Sequence, residues 1–294
     1  MLLIRPVTIT PGMVTASNAG AADPAYAATA SYALGQRVYL EATGKTYECV
    51  QAPALGKYPP AEPLYWMAAA PSNRWSMFDG GIGASTVTEG DLLASITIPG
   101  RINAVAFFGL IGSRIRLTQR SAEGAVLSTF DRPLRADPAD WYGYFFAEPE
   151  QVTDVVFTAL APSSGSRLEI TVTGPAACAA VVAGNTFDLG GAQWGAATSI
   201  IDYSRKNISA DGIQTFERGR FSRRLNVMLE QPRSRYPAVQ RALEAVRATP
   251  CVWLGMPGSG DYSPMTIYGY YRDFSIEVTY PAWNLCSLEI ESLT

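Results

Sequence analysis

Arg114-Ile115-Arg116-Leu117-Thr118-Gln119-Arg120 is the stretch whose reading decides the fold. Ile115, Leu117 and Gln119 fall on one side of an extended chain, and Arg114, Arg116, Thr118 and Arg120 on the other. A period of two marks a β-strand with one face in a core and the other solvated or against a partner. Similar short runs recur at residues 92–98, 102–110, 125–130, 141–146, 152–158 and 168–173. Strands at this spacing, separated by turn residues, predict a β-sandwich over residues 76–175.

Working outward, residues 176–294 predict a C-terminal β domain, with strands at 199–203, 215–229, 252–255, 265–271, 274–280 and 285–290. One helix interrupts them near 236–248: Pro237 suits a first turn, Val239, Leu243 and Val246 recur at i, i+4 and i+7, and Thr249-Pro250 ends the run. On the other side, residues 31–75 predict a small β module. Its runs 34–40 and 45–50 are joined by Glu41-Ala42-Thr43-Gly44, where glycine accepts the left-handed turn position. Pro53, Pro59, Pro60 and Pro63 then keep the chain irregular as far as Tyr65-Trp66. Residues 1–30 read as an N-terminal strand over 2–10 followed by an alanine-rich arm.

Composition agrees with a mainly β chain. In 294 residues, 17% are charged, below the usual ~25%, while 26 glycines and 20 prolines disfavour long helices. The chain has no histidine, which excludes Ser-His and Cys-His nucleophile pairs, imidazole metal ligands and imidazole acid–base chemistry. Cys49, Cys178, Cys251 and Cys286 are too far apart for a CxxC metal or redox motif and read as buried thiols. No metal or cofactor is expected. Met1-Leu2-Leu3-Ile4-Arg5-Pro6 has no export signal, and the uncharged run 170–187 is broken by glycine, proline and asparagine. A soluble protein made in a cytoplasm, without membrane insertion, is the expectation; the sequon Asn207-Ile208-Ser209 is then accidental. Gly44-Lys45-Thr46 imitates the end of a phosphate-binding loop, but Tyr39 stands where its first glycine belongs.

Tyr32-x-x-Gly35-x-x-Val38-Tyr39, Gly44-Lys45-Thr46-Tyr47-Glu48-Cys49, Gly56, Pro59-Pro60 and Trp66 resemble the small chitin-binding type modules of carbohydrate-binding families 5 and 12. The family's acidic residue after the glycine is Gln36 here, and its leading tryptophan is missing. The resemblance implies a glycan-binding module. Sugar rings stack their C–H faces on exposed aromatic planes, which makes Trp66, Tyr65, Tyr47 and Tyr58 the candidate platform. The competing reading makes Tyr47 and Trp66 the core of a very small unit.

A wider resemblance follows. Asn73-Arg74-Trp75-Ser76-Met77-Phe78-Asp79, Ile201-Asp202-Tyr203-Ser204-Arg205-Lys206, Arg247-Ala248-Thr249-Pro250-Cys251-Val252-Trp253 and Cys286-Ser287-Leu288-Glu289-Ile290-Glu291 resemble tail and tail-tip proteins of tailed bacteriophages. This implies a virion protein of the tail tip or baseplate, assembled in the host cytoplasm, with other tail proteins, copies of itself and a host-surface glycan as partners. Only Lys45, Lys57 and Lys206 among the 23 basic residues are lysine, an arginine bias suited to protein interfaces. Ten basic and four acidic residues lie between Arg205 and Arg247. Arg218, Arg220, Arg223 and Arg224 are accordingly candidates for a subunit interface. Nucleic acid is disfavoured by a net charge of −3.

Two alternatives stay open at this level: a stand-alone lectin, and a glycan-cleaving tail enzyme. The latter would need two carboxylates flanking the scissile bond, from Asp137, Asp140, Glu148 and Glu150. Asp137-Pro138-Ala139-Asp140 reads instead as a polar turn before Trp141, so no catalytic residue is expected.

Overall fold

The strand Arg114–Arg120 forms where its alternation requires, with Ile115, Leu117 and Gln119 buried. A computed structural model describes residues 1–136, 140–146, 148, 150–208, 211–212, 214–256, 264–278 and 280–293. Asp137, the Asp137-Pro138-Ala139 turn and Ser209 of the sequon lie outside the described residues. The fold is mainly β. Two compact units make up the chain: Met1–Val7 with Ala183–Thr294, and Thr8–Val182.

In Thr8–Val182, strand 114–120 is second from one edge of a five-stranded antiparallel sheet, ordered Val126–Pro133, Arg114–Arg120, Ser166–Thr173, Leu92–Ile98 and Val14–Ser17. Part of the expected arm is therefore an edge strand. Gln119 is a polar residue with no exposure, and every amide function is used. Its Nε2 donates to the Ala161 carbonyl at 2.8 Å and to Ser166 Oγ at 3.1 Å, while Oε1 accepts from Ala161 N–H and Ser128 Oγ, both at 2.9 Å. A satisfied buried amide fixes register as a hydrocarbon could not. Ala104–Phe108, buried throughout, pairs with Val155–Phe157. Phe157 stacks on Phe130 at 5.0 Å and meets Phe107 edge-on at 6.1 Å, joining this pair to the five-stranded sheet.

The same unit contains the small module, a three-stranded antiparallel sheet of Arg37–Leu40, Lys45–Cys49 and Trp66–Pro71. Gly44 takes φ +67°, as the turn demands, and the Trp75 ring lies where a side chain would begin: a Cβ there would sit 2.5 Å from Cγ of that indole. The expectation at 141–146 also fails. Residues 141–146 are a short helix, Trp141–Phe146, instead of a strand. Asp140 starts it, accepting from Gly143 N–H through Oδ1 at 2.6 Å and from Tyr144 N–H through its carbonyl at 3.0 Å. A side-chain cap at the first turn favours helix, and the run has no polar alternation to favour strand.

In the other unit, Leu2–Pro6 lies between Ala180–Asp188 and Cys251–Leu254, antiparallel to both. The order continues through Thr266–Glu277, Trp283–Ser292 and Phe221–Pro232, which carries Gly191–Ala192 and Ala197–Asp202 along its far edge. Residues 265–271 and 274–280, expected as two strands, form one, with a register shift between Tyr271 and Asp273. The expected helix is Tyr236–Ala245, after a 3-10 turn at Arg233–Arg235. Val239, Leu243 and Val246 are buried with Leu225, Leu229, Trp253, Cys286 and Leu288, so the apolar stripe covers the sheet. All four cysteines are free and buried, and desolvation pushes the thiols of Cys178, Cys251 and Cys286 up to about 12.

Candidate functional surfaces

Aromatic side chains gather in the small module because its strands are too short to bury anything larger than one cluster. Tyr32, Val38, Tyr47, Cys49, Ala54 and Trp66 form that cluster. Trp66 is 3% exposed, its indole N–H donates to the Lys57 carbonyl at 2.8 Å, and Tyr32 meets it edge-on at 5.2 Å. Tyr47 is 7% exposed and its hydroxyl faces Thr43 Oγ1. Neither offers a face to a sugar ring, which corrects the expectation that Trp66 and Tyr47 belong to a stacking platform. They are the module's core.

The surface is left to Tyr58 and Tyr65. Tyr65 is half-buried, and Lys57 Nζ lies 4.9 Å from its ring centroid while pairing with Glu62 at 3.2 Å. Tyr58 is 42% exposed and meets Tyr26 edge-on at 6.0 Å; Tyr26 in turn stacks on Tyr32 at 5.8 Å. Tyr26 was not legible as a site residue, because it comes from the alanine-rich segment and reaches the module through pairing of its N–H with the Tyr39 carbonyl. Gln36 uses its Oε1 to accept from Ala33 N–H at 2.8 Å. A local turn is what that side chain holds.

A second surface is built by two consecutive antiparallel pairs. Ala197–Asp202 pairs with the first half of Phe221–Pro232, and Arg205–Ile208 pairs with Gln214–Glu217. Between them is a joint. Tyr203 N–H donates to the Arg220 carbonyl at 3.0 Å, Gly219 N–H to Ser204 Oγ at 2.9 Å, and Asp202 Oδ1 accepts from Ser204 Oγ at 2.6 Å. The expected strand 215–229 is thus divided at 218–220. Both strands of the outer pair are exposed at every residue, so each face of this ribbon meets solvent. Ile200, Ile208 and Phe216 are 69%, 63% and 73% exposed, and Tyr203 and Phe221 are exposed beside them.

The candidate interface arginines do not share one environment. Arg218 and Arg220 are exposed at the joint, whereas Arg223 and Arg224 are half-buried on the strand beyond it. Arg224 spends its guanidinium within the sheet, 3.0 Å from Glu289 and 3.8 Å from Glu291, and Arg272 reaches Glu291 at 3.1 Å. That residue is a cross-strand tie.

Of the carboxylates, Asp140 is the helix cap, and Glu148 and Glu150 are exposed. Among the described residues no cluster of three or more acidic or cysteine side chains is arranged to hold a metal ion, and no helix is long and apolar enough to cross a membrane. The stretch 73–79 does structural work: Asn73 Nδ2 donates to the Val87 carbonyl at 2.9 Å and its Oδ1 accepts from Val87 N–H at 2.8 Å, while Ser76, Met77 and Phe78 are buried. Comparison of the chain with protein-family models and with curated proteins finds no match.

Proposed function

We propose that this chain is a structural virion protein of a tailed-bacteriophage tail tip or baseplate, acting by binding instead of catalysis. The paired strands 197–208 and 214–232 form an assembly arm that engages neighbouring tail subunits, including copies of the same chain. The observation that supports this is the ribbon Arg205–Ile208 with Gln214–Glu217, exposed on both faces and carrying Ile208 and Phe216 into solvent. A two-stranded ribbon alone is marginal in water, and contiguous exposed apolar groups mark contact surfaces. The resemblance of the short motifs at 73–79, 201–206, 247–253 and 286–291 to tail-tip proteins is what suggests the assembly. The small module faces the host envelope, where Tyr58 stacks on a glycan ring with Tyr26 behind it. One sugar on one tyrosine is weak; several copies raise avidity by ~10²–10⁴ when their spacing matches the surface.

The test pairs light scattering with polysaccharide pull-down. Wild type is expected to form oligomers, Phe216→Asp to remain monomeric with an unchanged circular dichroism spectrum, and Tyr58→Ala to assemble normally but release insoluble bacterial polysaccharide. A monomeric wild type that still binds glycan through Tyr58 would replace the tail-protein reading with a stand-alone lectin.

A further inference from the structure

The helix Trp141–Phe146 is a surface of another kind. Its six residues include Trp141, Tyr142, Tyr144, Phe145 and Phe146, exposed by 78%, 73%, 58%, 66% and 74%. The rings touch one another: Tyr142 and Phe146 lie 5.0 Å apart, Tyr144 and Phe145 5.1 Å, Trp141 and Phe145 6.2 Å in a stacked pair. Five large aromatic groups left in water form one patch, and a patch of this kind in a folded domain marks a contact.

Charge identifies what covers it. From Ala136 to Glu150 the sequence holds Asp137, Asp140, Glu148 and Glu150 and no lysine or arginine. Asp140, Glu148 and Glu150 are exposed and flank the aromatic run in sequence, Asp140 capping the helix, with the exposed Arg135 the nearest cation along the chain before it. An acidic aromatic surface repels anionic lipid and nucleic acid, and it selects arginine, whose guanidinium stacks on aromatic faces and pairs with carboxylates. The arm carries that complement. Residues 205–220 contain Arg205, Lys206, Arg218 and Arg220 against Asp211 and Glu217, with Ile208 and Phe216 to meet the rings.

We propose that the arm of one copy docks on the aromatic helix of a second copy. The inference rests on the reading of 197–208 and 214–232 as an assembly arm and gives that arm its partner. Because the two surfaces differ, the contact is head-to-tail, and it propagates into a ring or a filament instead of stopping at a two-fold dimer.

Sedimentation velocity on the full chain over a concentration series tests this with two variants, Trp141→Ala/Phe145→Ala on the helix and Ile208→Ser/Phe216→Ser on the arm. All four side chains are exposed, so circular dichroism and melting should match wild type. Wild type should grow beyond dimers, and each variant alone should lose association by about thirtyfold or more, the cost of removing hot-spot aromatics. An equimolar mixture of the two variants should form a 1:1 heterodimer that grows no further, since it contains one intact arm facing one intact helix. Three outcomes overturn the proposal: a mixture that stays monomeric, a helix variant that assembles like wild type, or a wild type that is monomeric at every concentration. If the helix variant assembles and the arm variant does not, this pairing is wrong while the arm remains an assembly element. If both variants assemble like wild type, the arm reading falls as well.

Discussion

Trp66 and Tyr58 separate the two things an aromatic residue can do in a small module. Trp66 is enclosed, hydrogen-bonded to the Lys57 carbonyl and ringed by Tyr26 and Tyr32, so its truncation leaves a cavity and a carbonyl without its donor. Trp66→Ala should cost about 3–5 kcal/mol and melt the module ahead of the rest, a loss visible by urea titration and limited proteolysis. Tyr58→Ala should leave the melt unchanged. Both tyrosine and tryptophan were legible as one cluster from their spacing; which of them faces water was not, because a strand's pattern shows alternate faces without showing which face a neighbouring loop covers.

Asp131 shows a residue-scale dependence on pH. Hydrogen bonds from Arg116 hold its carboxyl below the ordinary carboxylate range, with Arg114 adding to the effect at 2.8 Å. A carboxyl with a depressed folded pKa contributes stability above its unfolded pKa of ~4, and that contribution disappears as pH falls through the lower folded value. The melting difference between wild type and Asp131→Asn should therefore be present at neutral pH and shrink in acid. It should be small, since the pair is on the surface. A difference that is constant from neutral pH into strong acid would show that the ion pairs contribute nothing through this titration.

At the scale of elements, the joint of the arm depends on one glycine. A Cβ on Gly219 would lie 2.5 Å from the carbonyl carbon and oxygen of Tyr203, backbone atoms that cannot rotate away. Gly219→Ala should separate the outer ribbon from the inner pair, read as faster backbone amide exchange at Tyr203 and through the 205–208 and 214–217 strands, with the melt of the main sheet nearly unaffected. Retained amide protection at Tyr203 would mean the joint tolerates the side chain. The sequence shows why the arm itself was half legible: residues 215–217 and 221–229 both favour strand and read as one run, and the close approach around Gly219 divides them. The helix Tyr236–Ala245 was legible to within three residues of its end, expected near 236–248, since its proline, its i, i+4, i+7 stripe and its stop signal agree. The helix Trp141–Phe146 was not, for aromatic residues favour strands in general and Asp140 overrides that preference through one local cap.

For the whole molecule, the decisive element is Leu2–Pro6. It is an interior strand, with Leu3 and Ile4 fully buried and partners on both sides. Residues 183–294 expressed alone should fail to give a cooperative melt, because removing this strand exposes two sheet edges and opens the core around Leu3. Linking residues 1–7 back through a flexible connector should restore the transition. A cooperative melt of 183–294 without them would show that the sheet closes over the missing strand.

Sequence by itself determined the mainly β character with many of its strands, the principal helix, the exclusion of histidine chemistry and the burial of the four cysteines. Each of these follows from local periodicity, composition or side-chain polarity, which act within a few residues of the chain. Tertiary structure alone decided that Leu2–Pro6 completes a sheet made mostly from the last third of the chain, that Trp66 and Tyr47 are core, and that Arg224 is tied to Glu289 and Glu291 while the arm and the Trp141–Phe146 helix remain open to solvent. These depend on which distant segments meet. Residues separated by most of the chain exclude water from one another, and no short window of sequence contains both sides of such a contact.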